Sequence, residues 1–469
     1  VSLSAREENA KTLASVFGLD EDDAGTLLDV PVGVCAATDA RSQAVRRHVV
    51  AMVRRTVSRI EEQNHGAVAI DILIGPVAPI AKVPAVRVGI TTAEVVISSE
   101  TEPAHELAAD VPEVVLLLAA CYAVAMAVRI SVGAAFSFPH HNTIRLPVDL
   151  LLGGRRHVVE APIEIGRAYL AGAGAVGNGF IWALATLDAR GELHVVDPKN
   201  VSSGNLGRCL WFEDADVEQP KAERLAERAR ASLLRLKLVP RVATVQTLAE
   251  RNEGPWLGRL VVAVDSRRAR RRLQEELPGQ VFDASTTGIE EVVLHVNSAR
   301  ESGACLSCIY HEDAAEAAHE QHVASMLGVE VADVQQHYVS EDAARRIALR
   351  HPHLVLENIV RLAYDTLFKT MCATGQLGVE EARTVLAPLS FVSVLAGAYL
   401  ALEFVCRTGS TEIVPPFNYW RASPWTSPVF DLRAIRSPRT GCETCGNEVI
   451  RATVRSLWGT NGEGSKGPI

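Results

Sequence analysis

The chain has 469 residues, 48% of them hydrophobic and 22% charged, and a formal net charge of −9. That length suits two or three domains better than one core. The acidic balance argues against a general nucleic-acid binder, and the rest of the composition is that of an ordinary globular protein.

Residues 1–17 lack a basic segment followed by an apolar one, so no secretory leader is expected. Nine cysteines in a chain of this size point to a reducing, cytoplasmic setting, where cysteines serve metals or chemistry. Residues 44–60 carry helical spacing, with Arg46-Arg47 and Arg54-Arg55 on the polar side. Residues 67–75 and 94–99 read as strands. The apolar run Val114–Val128 stops at Arg129. It reads as a buried helix too short to span a bilayer, so no membrane partner is expected. A domain boundary is placed near residue 150, beside Gly153-Gly154.

From residue 167 the pattern alternates. Residues 168–172, 191–197, 259–265 and 292–298 read as strands, and 178–189 and 220–236 as helices, the second opening on Pro220. This alternation predicts an α/β fold in 151–308, a doubly wound, Rossmann-like sheet after an α+β N-terminal domain in 1–150. Residues 309–385 read as a helical insertion. Residues 386–469 return to the first fold, with a small-residue-rich apolar helix at 387–406 and a Gly-rich tail from Gly459.

The first alternating unit holds Gly172-x-Gly174-x-x-Gly177. This spacing gives a tight turn, a close approach to phosphate and a close helix–strand contact, with a helix N-terminus facing the anion. Asp197 ends the next strand, where a carboxylate can bind ribose hydroxyls. On those features alone NAD is the default ligand. Asn205, Arg208 and Lys221 then follow Asp197. A dehydrogenase has no need of those cations, whereas a triphosphate has. Asp265 ends a further strand and is a candidate magnesium ligand.

Two C-x-x-C pairs, Cys305/Cys308 and Cys442/Cys445, stand 137 residues apart. Four thiolates in this arrangement suit a closed, tetrahedral, structural zinc site, provided the fold joins the pairs.

The glycine loop, Asp197, Asn-Leu-Gly-Arg (205–208), Gln-Pro-Lys (219–221), Asp265 and both cysteine pairs occur in an order that resembles the ThiF/MoeB superfamily, the adenylation fold of ubiquitin-activating enzymes. The resemblance covers roughly 165–308 and 386–446. It implies ATP- and magnesium-dependent adenylation of the C-terminal carboxylate of a ubiquitin-like protein, sulfur carrier or peptide. It also implies ribose contact by Asp197, phosphate contacts by Asn205, Arg208 and Lys221, and a place beside magnesium for Asp265. Gly207 and Cys209 stand where the family commonly has Asn and Gln. Many small relatives send an N-terminal arginine across a dimer, and no match to it is found here.

Relatives often carry a thioester-forming cysteine in the region of the insertion. Cys372, in a polar, glycine-containing stretch, is the candidate nucleophile. The first reading is therefore adenylation, thioester formation on Cys372 and transfer to a conjugating partner. The second is adenylation of a sulfur carrier or biosynthetic peptide without an enzyme thioester. The N-terminal region is either an inactive copy of the adenylation domain or a substrate-recognition domain. The apolar segments at 114–128 and 387–406 suggest a homodimer. The helix after Asp265, with five arginines in 266–274, meets either an acidic partner or solvent.

Overall fold

The computed structural model describes residues 3–459 apart from 58, 62–67, 80–81, 302, 313, 337, 361, 374–387, 410–416 and 429–431. The N-terminal strands are β1 (Pro31–Ala36), β2 (Arg59–Glu61), β3 (Ile70–Ile74), β4 (Ala85–Ile90), β5 (Glu94–Ser98) and β6 (Thr143–Pro147). They form one sheet in the order β2-β1-β3-β4-β5-β6. The remaining strands are β7 (Ile163–Ala171), β8 (Ala189–Val196), β9 (Leu236–Arg241), β10 (Arg259–Val262), β11 (Gln280–Thr287), β12 (Glu291–Ser298), β13 (Tyr419–Ala422) and β14 (Leu432–Ala434). Their order is β14-β13-β12-β11-β10-β7-β8-β9. The central strands β3, Ile-Asp-Ile-Leu-Ile, and β10, Arg-Leu-Val-Val, are apolar runs with almost no exposed residue. Such runs suit parallel strands covered on both faces.

The two sheets repeat one topology. β2, β1, β3 and β4 are joined in parallel, and β4–β5 and β5–β6 are antiparallel. β8, β7, β10 and β11 are likewise parallel, and β11–β12 and β12–β13 antiparallel. In each half a helix follows the first strand, Ala40–Thr56 or Ala175–Leu184, and a 20-residue apolar helix precedes the last shared strand, Glu113–Val132 or Ser390–Gly409. The N-terminal half therefore repeats the strand order of the C-terminal half.

The halves pack through these helices. Tyr122 and Tyr399, each the tenth residue of its long helix, share a buried hydroxyl–hydroxyl hydrogen bond of 2.9 Å. The Ser390 hydroxyl donates to Met52 O at 3.0 Å and lies 2.8 Å from Thr56 Oγ1. Trp182 Nε1 donates to His48 Nδ1 at 3.1 Å. The two apolar segments that suggested a homodimer thus pack on each other within one chain. The first long helix runs to Val132, beyond the expected stop at Arg129. Both long helices are apolar and long enough to cross a membrane, yet 83% and 89% of their most apolar stretches are buried in the protein.

Boundaries differ from the sequence reading in instructive places. The glycine-loop helix spans Ala175–Leu184, not 178–189, because its N-cap is Gly174. The helix expected over 220–236 stops at Ala229, and the chain then enters β9. β1, β4 and β11 were not anticipated. Each contains Gly or polar residues that interrupt its apolar pattern.

The insertion has its own apolar core, including Val323, Leu327, Val334, Ile347, Tyr364 and Met371. The arginine-rich helix Arg267–Glu275 anchors it, so the acidic partner is the chain itself. Arg268 donates to Glu320 at 2.7 Å and to Val334 O at 2.8 Å. Arg271 forms a two-pronged pair with Glu316 at 2.8 and 3.0 Å. Arg270 turns the other way, onto Asp283 and the carbonyl of Ala284. The Arg268 and Glu320 side chains are 6% and 1% exposed. Removing one partner from such a buried pair would strand the other charge.

Candidate active site

A cavity of about 830 Å³ opens at the C-terminal ends of β7, β8 and β10, the place where open α/β sheets hold ligands. Gly172 has φ +102°. A Cβ on Gly177 would lie 2.1 Å from Gly172 O, so only glycine lets the helix close on the strand here. Gly174 caps the helix with no side-chain hydrogen bond, and open space surrounds its Cα. The first-turn amides thus face the cavity without a protein acceptor from the cap, as an anion site needs.

The N-terminal copy is built differently at the matching turn. Asp39 caps the Ala40–Thr56 helix, and its carboxylate accepts from the amides of Arg41 at 3.1 Å and Ser42 at 2.9 Å. His105 Nε2 lies 3.4 Å from the other carboxylate oxygen. A fixed anion thus occupies the helix terminus that the C-terminal half leaves open.

Asp197, Asn205, Arg208, Lys221 and Asp265 all line the one cavity, as do Gly172 and Gly174. Asp197 also braces the loop, its carboxylate accepting from Ala173 N and Lys199 N, both at 2.8 Å. Asn205 Oδ1 accepts from Ser202 N at 3.0 Å and fixes the turn that presents Arg208. Among the described residues, the Arg208 and Lys221 side chains have no hydrogen-bond or ion-pair partner, although Lys221 is buried. Two unpaired cations in one cavity call for an anion. Burial pushes the Cys209 thiol up to about 11, against the pull of Arg208 and Lys221, so it is no ready nucleophile.

Three groups were missed from sequence. Lys199 extends its ammonium to within 3.2 Å of Asp265 Oδ2. Burial opposes that charge, but Asp265 and Asp197 outweigh it and raise the pKa. Lys199 follows Asp197 by two residues, and the reasoning that selected Lys221 could have found it. Gln336 and Tyr338 reach the cavity from the insertion. Tyr338 is held by a bridge to Ala363, just before the helix Tyr364–Ala373. No local pattern marks them.

The third is Arg55, assigned to a polar helix face by periodicity. From the N-terminal half it donates to Leu206 O at 3.1 Å and Leu210 O at 3.3 Å, on either side of Arg208. The first helix, Leu3–Phe17, lies against the same turn, where a Cβ on Gly207 would sit 3.1 Å from Asn9 Oδ1 and 3.2 Å from Ala5 O. That close contact is a physical reason for Gly207 in place of the commoner Asn. Arg55→Met is expected to raise the KM for ATP about 10-fold, with kcat falling less, and Arg55→Lys to recover part of the loss. A KM equal to that of the unaltered protein would remove Arg55 from the site's support.

The fold joins the two cysteine pairs. Sγ–Sγ separations are 3.8 Å for Cys305–Cys308, 3.6 Å for Cys305–Cys442 and 3.2 Å for Cys308–Cys445, and all four sulfurs lie within 4.8 Å of one another. A tetrahedral zinc with bonds of about 2.3 Å needs sulfurs about 3.8 Å apart, so the set fits. The hydrogen bond to Cys308, and then burial, push the Cys305 thiol far up, while Cys308 is pulled down by accepting that bond. Such crowding suits a cation that replaces the thiol protons. Cys372 is in the last turn of the helix Tyr364–Ala373. Its side chain and residues 374–387 lie outside the described residues.

Residues 161–444 match the ThiF family, and residues 2–152 match the E1 N-terminal domain. The uncharacterized protein y4jF of Sinorhizobium fredii (strain NBRC 101917 / NGR234) is 28% identical over 325 residues, 65% of this chain and 61% of that protein. The chain thus aligns with less than two thirds of that relative. Crystal structures of E. coli MccB with MccA-N7isoASN and with ATP are similar at 14% and 13% identity. Both give a TM-score of 0.37 over 64% of this chain, and cover 71% and 70% of those chains. At those scores no residue is transferred from them. With the family matched over more than half its length, the chain belongs to the ThiF family.

Proposed function

We propose that this protein uses ATP to adenylate the C-terminal carboxylate of a ubiquitin-like protein. The observation that carries the reading is the pair of cations without a partner among the described residues, Arg208 and Lys221, in the same cavity as an open helix N-terminus. A carboxylate oxygen attacks the α-phosphorus, an acyl-phosphate bond forms, the bond to the bridging oxygen breaks and pyrophosphate leaves. Arg208, Lys221 and the loop amides stabilise charge on the phosphates as it shifts to the leaving group. Asp197 orients the ribose. Asp265 would hold magnesium, which would neutralise phosphate charge when bound. A zinc held by Cys305, Cys308, Cys442 and Cys445 is structural in this reading, since four thiolates leave no open position.

The acyl group then passes from AMP to Cys372 and on to a conjugating partner. What supports this step is position. The helix that carries Cys372 begins beside Ala363, which pairs with the cavity-lining Tyr338. ATP–pyrophosphate exchange, stimulated by a candidate carrier protein, tests the first step. Cys372→Ala is expected to leave that exchange unchanged and to abolish a thiol-sensitive adduct with the carrier. An adduct that persists in Cys372→Ala would favour a thiocarboxylate or peptide product made without an enzyme thioester.

A further inference from the structure

Other cations line the cavity besides Arg208 and Lys221, and one of them, Lys199, has an unusual partner. Among the described residues the Lys199 ammonium has one hydrogen-bond acceptor, Asp265, the carboxylate placed for magnesium. The two ends of this pair differ in access. The Asp265 side chain is 71% exposed and the Lys199 side chain 17%. An ion arriving from solvent meets Asp265 first, while Lys199 stays against the cavity wall. An ion pair with one end in water is worth little and is readily exchanged. Lys199 is also bound to the phosphate-site wall through its backbone, since Lys221 N donates to Lys199 O at 3.0 Å. Both ammonium groups therefore start from adjacent points on one wall and line the same cavity.

We propose that Lys199 is an exchange cation: it holds Asp265 in the nucleotide-free protein, then moves onto the triphosphate when a divalent cation takes that carboxylate. This rests on the adenylation reading and adds to it. Without the exchange, a metal at Asp265 would cost the buried Lys199 charge its hydrogen-bonded partner, which is unfavourable. With it, the triphosphate meets Lys199, Arg208 and Lys221 together. The Lys199–Asp265 pair also keeps the carboxylate away from the phosphates until a metal shields it. Lys199 thus couples metal uptake at Asp265 to nucleotide uptake beside it.

The test measures binding, not turnover. ATP affinity is read by calorimetry with MgCl₂, and Mn²⁺ affinity of the nucleotide-free protein by electron paramagnetic resonance. Lys199→Met is expected to weaken ATP binding about 10-fold or more, the loss of one charge-assisted contact, and to tighten Mn²⁺ binding because Asp265 loses its ion pair with a cation. Lys199→Arg keeps the charge and is expected to stay close to the unaltered protein in both measurements. ATP affinity that does not change in Lys199→Met overturns the proposal, and so does unchanged Mn²⁺ affinity. If Lys199→Met does not fold, Lys199→Gln, a polar chain of similar reach, is read by the same criteria. Failure of the unaltered protein to bind ATP would overturn the adenylation reading as well. Normal ATP binding with silent Lys199 variants would overturn this proposal alone.

Discussion

Arg208→Ala and Lys221→Ala are each expected to slow ATP–pyrophosphate exchange about 10- to 150-fold. A hydrogen bond to a charged group is worth roughly 1.5–3 kcal/mol, and each 1.4 kcal/mol is a tenfold change in rate. In the proposed reading both residues bind one set of phosphates, so the double variant should lose less than the product of the single losses. A second measurement separates this role from a structural one. In the nucleotide-free protein neither side chain has a partner among the described residues, and Lys221 is buried. A buried charge without a partner weakens the fold. Lys221→Met should therefore melt no lower than the unaltered protein, and higher where the alkyl chain fills the same space, while exchange collapses. Opposite signs for stability and activity are the mark of a residue retained for its ligand. Unchanged exchange in either alanine variant would take that residue out of the phosphate site.

How much of this was visible in the chain follows from the range of each interaction. Gly172, Gly174, Asp197, Arg208, Lys221 and Asp265, named from sequence, meet in one cavity because each lies past the C-terminal end of β7, β8 or β10 in one parallel sheet. The four cysteines were legible as chemistry but not as geometry, since 137 residues separate the pairs. Arg55 was misplaced for a different reason. Helical periodicity set it on the polar face, yet the carbonyls of Leu206 and Leu210, more than 150 positions away, accept its protons. The arginine-rich helix stayed open between an acidic partner and solvent for the same reason, because Glu316 and Glu320 come from a separate packed unit. Nor did residues 1–150 show their architecture, since β1, β2 and β4 are short and lack clean alternation. The repeat lies in strand order, and strand order has no local signal.

The N-terminal half also has a physical place in the site. Its own helix terminus is capped by Asp39, which disfavours a second anion there. Its first helix and Arg55 instead press on the 205–210 turn of the other half. The helix terminus that Asp39 caps in the N-terminal half has its counterpart left without a side-chain cap in the half that it supports.

Removal of zinc is expected to have the largest effect on the fold. The Cys305/Cys308 hook follows β12, and the Cys442/Cys445 hook follows β14, so one metal would tie the end of the sheet to the start of the insertion. Around it, Ala304 N donates to Arg436 O at 2.9 Å, and Arg439 N points at Cys308 Sγ from 3.2 Å. Without metal, four crowded sulfurs gain only weak thiol hydrogen bonds and lose the charge that holds them. Structural zinc contributes about 10–16 kcal/mol in small zinc-finger peptides. In this chain three separate apolar clusters stand outside the cysteine site, so the loss should be regional. The region is the C-terminal segment with its last helix, Glu448–Trp458, whose Trp458 Nε1 donates to Leu277 O at 2.8 Å. Protein purified without chelator should contain one zinc per chain by elemental analysis. Chelation, or Cys308→Ser, should lower the melting temperature and raise hydrogen exchange across 432–458, while the insertion core keeps its protection. Adenylation should then fall with the fold, with no selective loss of one chemical step. A metal-free preparation that melts and exchanges as the zinc-loaded protein does would reject a structural zinc. Chelation that stops pyrophosphate exchange while leaving 432–458 protected would instead place the metal in the chemistry, which a site closed by four sulfurs does not allow.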